Sequence, residues 1–247
     1  MAKIAICIPH NYPNFEKYFV FSLLSVVGSF HEWNKTIGNK HELIILNNKE
    51  GWIDFMREQL ADEALKQGAD YLMWVDTDMT FPPSMIQCMM AWFEKDPSLD
   101  AVTGLYTWKQ PPFLPHVYAR YVPEDDKFTV AGAFPLNGGF NVEGAGFGCV
   151  MIKADLFKRT ERPWFKYEYG VYGEDLYFFK KARPVNMICD TRITCKHYQT
   201  LPADIDCYLR SNNLKVEEGM IEASQETLDR ISDFQEKLSK TAKKFQR

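Results

Sequence analysis

The segment from Tyr71 to Pro83, YLMWVDTDMTFPP, constrains this chain most. Its apolar run has the length and residue types of a buried strand. It ends in two aspartates two residues apart, Asp76 and Asp78, followed by a turn-forming Pro-Pro pair. Such a strand delivers two carboxylates to the rim of a sheet, and open α/β sheets bind ligands at the carboxyl ends of their strands. Neighbouring carboxylates repel unless a cation lies between them, and the usual answer is a hard divalent metal with oxygen ligands. The strongly apolar flank argues against a merely solvated turn.

The surrounding pattern predicts an α/β unit. Lys3 to Pro9 reads as a first strand, and Phe15 to Ser29 as a helix with Phe15, Phe19, Leu23, Val26 and Val27 on one face. Glu42 to Asn47 reads as a second strand. Trp52 to Gln67 reads as a helix striped by Ile53, Met56, Leu60 and Ala64, with Gly68 suited to its C′ position. The aspartate-bearing strand is third. A helix capped by Ser84 and running to Phe93, then a strand from Asp100 to Leu105, continue the alternation, which implies a parallel sheet with right-handed crossovers. From Tyr106 to Phe140 the chain is rich in Pro, Gly and aromatics without a period, as expected of extended segments and a substrate loop. Gly144 to Phe157 reads as a Gly-rich turn, a strand and a short helix; Tyr172 to Arg183 as a helix; Asn186 to His197 as the last strand region. The tail from Val216 to Phe245 is helical in composition, with Leu228, Ile231, Leu238 and Phe245 in a narrow stripe suited to packing on the domain or on a dimer partner.

Composition narrows the setting. The chain has 247 residues, enough for one large α/β domain or two small ones, and a net charge of -4, which gives no global attraction to nucleic acid or anionic membrane. The N-terminal apolar run is too short for a signal peptide, and no segment reads as a transmembrane span. Six cysteines form no CxxC pair, so buried thiols in a reducing cytoplasm are expected. The sequon Asn34-Lys35-Thr36 reads as chance without a secretory signal.

Two enzyme families share the aspartate motif. WVDTDMT fits the hydrophobic-D-x-D-x-T pattern of the haloacid dehalogenase-like phosphatases, in which the first Asp is a nucleophile. That motif sits on the first strand of those proteins, whereas here two strand–helix units precede it. The chain resembles the GT-A glycosyltransferases more fully, especially the family 2-like group, over roughly residues 3 to 198. The resemblance is carried by CIPHNYP (7–13), ILNN (45–48), MREQLADEALKQGADYLMWVDTDM (56–79), GLYTWKQPPFLPHVY (104–118), GAGFGCVMIKADLF (144–157), PWF (163–165), YGEDLYF (172–178) and CDTRITCKH (189–197). Their order and spacing, rather than any single motif, make it specific.

The resemblance implies a Rossmann-like GT-A domain with a mixed sheet over residues 1–210, a nucleotide-binding half to about 105 and an acceptor half after it. Residues 211–247 then form a C-terminal helical extension. It implies transfer of a hexosyl or pentosyl group from a UDP- or GDP-type sugar donor to a hydroxyl acceptor, with Mn2+ or Mg2+ on the diphosphate. Asp78 would ligate the metal, Asp76 would contact ribose or metal-bound water, and His197 would add an imidazole, which favours Mn2+. Asp175 would be the general base, with Glu174 positioning the acceptor. Both acids also suit a helix N-terminus for dipole reasons alone. Tyr167, Tyr169, Tyr172 and Tyr177 suggest a sugar-stacking platform around them. Pro9, His10, Asn11, Asn47, Asn48, Arg57 and Thr77 are the candidate nucleotide contacts. Arg57 is followed by Glu58, where many relatives carry Asn. GAGFG lacks the features of a P-loop and reads as flexible backbone beside the acceptor, with Gly146 and Phe147 as contacts. Trp108 would be a further acceptor contact and, with Pro111, Pro112 and Phe113, would form a lid over the donor or pack as plain loop. The basic cluster Lys153, Lys158, Arg159, Arg162 and Lys166 makes an anionic acceptor conceivable. A non-catalytic nucleotide-sugar or glycan-binding module would keep the Asp-x-Asp and need no base.

Overall fold

The computed structural model describes residues 1–10, 15–48, 51–168, 172–198, 202–212, 214–217 and 219–244. In chain order the elements begin with β1 (Ala2–Pro9), α1 (Lys17–Thr36), β2 (His41–Asn48), α2 (Ile53–Lys66) and β3 (Tyr71–Val75). There follow β4 (Met79–Thr80), α3 (Met85–Lys95), β5 (Ala101–Leu105), β6 (Val117–Val122), β7 (Lys127–Val130), β8 (Gly139–Val142), β9 (Gly144–Ala145), β10 (Cys149–Lys153) and α4 (Ala154–Arg159). The chain closes with α5 (Glu174–Ala182), β11 (Met187–Thr194), β12 (Lys196–Tyr198), β13 (Pro202–Ala203), α6 (Ile205–Asn212), β14 (Lys215–Glu217), β15 (Met220–Glu222) and α7 (Gln225–Lys244).

Seven strands form the main sheet in the order β2-β1-β3-β10-β5-β11-β8. β1 runs parallel to β2 and β3, and β11 runs parallel to β5. β10 is inserted antiparallel between β3 and β5, and β8 is antiparallel to β11, so the sheet is mixed. Strict alternation would have made it parallel. The departure arises because the stretch between β5 and α5 contributes strands of its own instead of a crossover helix.

The central strands are apolar on both faces because helices cover both. Ile4, Ile6, Ile8, Met73, Val75, Val102 and Met151 pack with Phe19, Val26 and Phe30 of α1 and Met85, Ile86, Met89 and Phe93 of α3. Their alternates Ala5, Cys7, Leu72, Trp74, Val150 and Ile152 meet Leu60, Ala61 and Ala64 of α2, Leu156 and Phe157 of α4, and Phe178 and Phe179 of α5. Cys7, Cys149, Cys189 and Cys195 are buried thiols within this core.

Helix boundaries differ from expectation where tertiary contacts intervene. α1 begins after Phe15 and continues past Ser29 to Thr36, because Phe30 and Asn34 keep its buried face going. The Asn34 side-chain amide donates to His41 O at 2.8 Å and its carbonyl accepts His41 N at 3.0 Å, which locks the sequon asparagine into the fold. Gly68 takes φ +74° after α2, as the C′ reading requires. Ser84 occupies the N-cap position of α3, but its hydroxyl makes no capping bond. The tail is not helical from Val216; a two-stranded ribbon, β14–β15, comes first. α7 then buries Ile231 and packs Phe234 against its own chain, 6.2 Å from the Trp108 ring. Leu228 stays more exposed, while the Leu238 side chain and Phe245 fall outside the described residues. Among the described residues no helix is long and apolar enough to cross a membrane.

Candidate active site

The strand directions gather one rim. β1, β2, β3, β5 and β11 all point their carboxyl ends the same way, and the chain entering β10 starts from that rim. Pro9 and His10 therefore follow β1, Asn47 and Asn48 end β2, Asp76 to Asp78 follow β3, Tyr106 to Lys109 follow β5, and His197 lies just past β11. His10 Nδ1 is 3.1 Å from Thr77 Oγ1, and Asn47 donates to Ile8 O at 3.4 Å. Asn11 lies outside the described residues.

Two cation-centred nodes flank Thr77. In the first, Arg57 of α2 is only 3% exposed. Its Nη2 donates to Asp76 Oδ1 at 3.0 Å, and its Nε donates to Glu174 Oε1 at 3.0 Å. The guanidinium lies over the rings of Trp74 and Phe147, with centroids 5.6 and 5.3 Å from Cζ. Its Nη1 is buried with no hydrogen-bond partner. Burial disfavours the charge, but Asp76 and Glu174 outweigh it and hold the guanidinium firmly protonated. An arginine predicted to touch the ligand is therefore, first, the tie between the Asp-x-Asp strand and the acidic helix. Asp76 was expected to contact ribose, metal-bound water or the metal; its Oδ1 is engaged by Arg57.

In the second node Asp78 is partly open. Its Oδ2 accepts from Lys109 Nζ, and its Oδ1 lies 3.5 Å from His197 Nε2. The ribbon of β4 and β12 sets this pair, placing His197 opposite Met79, while Tyr198 N donates to Asp78 O at 2.7 Å. Burial pushes the Asp78 carboxyl up, but His197 and Lys109 outweigh it and bring it to about 2. His197 Nδ1 donates to Thr107 O at 2.8 Å, since a carbonyl can only accept. In the neutral imidazole that bond leaves a lone pair on Nε2, aimed at Asp78 Oδ1, which is buried without a hydrogen-bond partner. Two facing lone pairs call for a proton or a cation between them. An imidazole fixed by a backbone carbonyl is also how metal-ligating histidines are oriented. The pair thus fits a divalent cation. Among the described residues no three His, Cys, Asp or Glu side chains converge as a cage.

The acidic helix α5 begins at Gly173, where a Cβ would come 2.8 Å from Asp175 Oδ1. Asp175 Oδ1 accepts Leu176 N at 2.7 Å. Burial pushes its carboxyl up to about 6, with Asp76 adding to the effect against Arg57. Burial and then Asp175 raise Glu174 as well. A carboxylate with a raised affinity for protons, near a cluster of fixed charges, has the character of a general base.

Several expected contacts take other roles. Phe147 is 1% exposed and packs among Trp74, Phe165, Phe178 and Phe179, so it supports Arg57 from below and presents no surface to an acceptor. GAGFG is constrained by close packing: a Cβ on Gly146 would lie 1.8 Å from His116 Nδ1, and one on Gly148 would lie 2.5 Å from Met79 Sδ. Tyr172 is buried, with its hydroxyl on Asp126, so among the described tyrosines Tyr167 is the exposed one; Tyr169 lies outside the described residues. Glu58 accepts Trp164 N at 2.8 Å, Phe165 N at 3.1 Å and Arg162 Nε at 2.9 Å, which explains an acid at that position. In the basic cluster, Lys158, Arg159, Arg162 and Lys166 pair with Asp155, Asp100, Glu58 and Glu168, and Lys153 Nζ caps Pro97 O. Four of the five cations in the cluster thus have an acidic neighbour. Trp108 lines a cleft of about 340 Å³ beside Asp78, together with Lys109, Gln110, His116 and His197. Lys109, Tyr106 and His116 were not singled out in the sequence; a tyrosine and a lysine just after β5 and a histidine just before β6 were the available signal.

No protein-family model matches the chain, and no curated protein sequence does. Solved structures do. A197 from STIV is 20% identical, with a TM-score of 0.56, covering 91% of this chain and 95% of that one. GalNAc-T7, solved with UDP, GalNAc and Mn2+, is 10% identical, with a TM-score of 0.50. That match covers 88% of this chain but 48% of GalNAc-T7, so the chain spans about half of that protein's length. The fold is GT-A-like, a mixed α/β sheet flanked by helices.

Proposed function

We propose that this chain is a metal-dependent glycosyltransferase that moves a sugar from a nucleoside-diphosphate donor to a hydroxyl acceptor. What supports the reading most is that the Asp78–His197 pair, 3.5 Å apart and suited to a cation, follows Asp76, which Arg57 ties to Glu174 beside Asp175 at the start of α5. GalNAc-T7 was solved with UDP, GalNAc and Mn2+ on a related fold, which supports the donor class and the metal.

Asp78 and His197 would hold the cation, and Lys109 would move from Asp78 toward the diphosphate as the cation takes its place. A divalent ion held there would supply positive charge to the departing diphosphate. Pro9, His10, Asn47 and Thr77 border the nucleotide. Arg57 keeps Asp76 and Glu174 at fixed separation. Asp175 takes the proton from the acceptor hydroxyl as its oxygen bonds to the anomeric carbon, and the bond from that carbon to phosphate oxygen breaks, releasing the nucleoside diphosphate. Base-assisted attack of this kind is what an inverting displacement needs. Hexosyl or pentosyl transfer with Mn2+ or Mg2+ is the form proposed, with Trp108 over the cleft.

The phosphatase reading needs a free nucleophile at Asp76, and the Asp76–Arg57 ion pair does not favour it. A thermal-shift screen of nucleoside diphosphates and their sugars, with and without Mn2+, tests the proposal. Stabilisation by one base, only with metal, is expected. Stabilisation by metallofluorides without any nucleotide preference would favour the phosphatase. Tight metal-dependent binding with neither transfer nor donor hydrolysis would favour a binding module.

A further inference from the structure

The cleft beside Asp78 holds a second histidine that the proposed chemistry does not use. Tyr106 Oη accepts the backbone N–H of Gly148 at 3.1 Å and lies 2.8 Å from His116 Nδ1. Tyr106 makes no other side-chain hydrogen bond among the described residues, so its own O–H points at His116 Nδ1. That assigns Nδ1 as an acceptor and places the ring proton on Nε2. The arrangement is braced throughout. His116 N donates to Tyr106 O at 2.8 Å, Gly146 N donates to His116 O at 2.9 Å, and the Gly146 backbone lies so close that any side chain there would strike the ring. His116 lines the cleft with Lys109 and His197, and its Nε2 neither meets a protein acceptor nor is sealed away among the described residues. Burial, and then the nearby His197, lower the affinity of the imidazole for a second proton.

We infer that His116 is a donor-binding residue that presents a fixed, uncharged Nε2–H to an oxygen of the bound nucleoside-diphosphate sugar. This rests on the donor site proposed above. The relay Gly148 N–H to Tyr106 to His116 sets the direction of that hydrogen bond before the ligand arrives, which lowers the ordering cost of binding. A neutral N–H beside Lys109 selects for an oxygen acceptor without adding charge, and both a diphosphate oxygen and a sugar hydroxyl satisfy it.

Two substitutions separate the two ring nitrogens. His116→Asn keeps an acceptor near the Nδ1 position for Tyr106 and removes the cleft-facing donor. His116→Gln restores an N–H near the Nε2 position. Calorimetric titration with a nucleoside diphosphate and with its sugar, each with Mn2+, is expected to show about tenfold weaker binding for the Asn variant and binding within about threefold of wild type for Gln. Weakening toward both ligands assigns the bond to the diphosphate, and weakening toward the nucleotide sugar alone assigns it to a sugar hydroxyl. Wild-type affinity in the Asn variant, or equal losses in Asn and Gln, would overturn the inference while leaving the donor site standing. A wild-type protein that binds no nucleotide, with or without Mn2+, would sink the donor site and this inference together. Nitrogen-15 NMR of the wild-type His116 ring decides independently of variant folding: the Nε2–H tautomer at pH 7 is expected, and a protonated Nδ1 would contradict it.

Discussion

Asp76 and Asp78 are two residues apart, yet they meet opposite physical environments. Asp76 is drawn toward a buried arginine that also holds Glu174 and rests on Trp74 and Phe147. Asp78 faces a cleft, with a lysine on one oxygen and an imidazole lone pair on the other. The first node is a fixed crosslink between β3, α2 and α5. The second is held by groups that can leave. One short motif thus supplies both scaffold and working site, and the burial of the partner cation decides which is which: Arg57 is 3% exposed and Lys109 31%.

Removing the buried cation is the severest way to break this contrast. Arg57→Ala strands Asp76 and Glu174 without their partner and is expected to cost about 3–5 kcal/mol of stability in denaturant unfolding, as for other broken buried pairs. A loss below about 1 kcal/mol would mean the first node is no crosslink. Asp78→Ala should do the reverse. Its ion pairs are partly exposed, so stability should change by no more than about 1 kcal/mol, while Mn2+-dependent nucleotide binding should fall at least about a hundredfold by calorimetry.

A subtler effect comes from Asp175. Its folded carboxyl is raised to about 6, above an ordinary aspartate near ~3.9. The folded state therefore holds this proton more tightly, so the contribution is fully present below about pH 4 and is lost as pH rises through about 6. Asp175→Asn removes that slope, and the variant should be more stable than wild type by about 1–2 kcal/mol at pH 7.5, with little difference at pH 4. Parallel melting curves at both pH values would contradict the raised carboxyl. The smallest effect concerns Lys109. If it gives way to the cation, Lys109→Gln should tighten Mn2+ binding by about two- to fivefold in an electron paramagnetic resonance titration, and weaker Mn2+ binding would show that the lysine does not compete.

The sheet was legible because its strands are apolar on both faces and its helices carry clear stripes. β10 was legible as a strand but not as an antiparallel one, because its direction depends on the connections between Tyr106 and Gly148, where no periodicity speaks. The ordered motifs brought Asp78 and His197 to one rim because each lies at the end of a strand. They did not reveal that Asp76 turns toward Arg57. That choice follows from the aromatic floor of Trp74 on β3 and Phe147 in the turn before β10, far apart in sequence. His116 stayed hidden because its role depends on a hydroxyl and a backbone N–H contributed by two other segments. Gly146 and Gly148 were visible, but only packing gives the reason for them.

The account's central claim is a division of labour, in which Asp78 and His197 hold the donor and Asp175 activates the acceptor. The most direct test is the single-turnover transfer rate of Asp175→Asn at saturating nucleotide sugar and Mn2+. The account predicts donor binding within about threefold of wild type and transfer slowed by about 10²–10⁴. Transfer at the wild-type rate would contradict it.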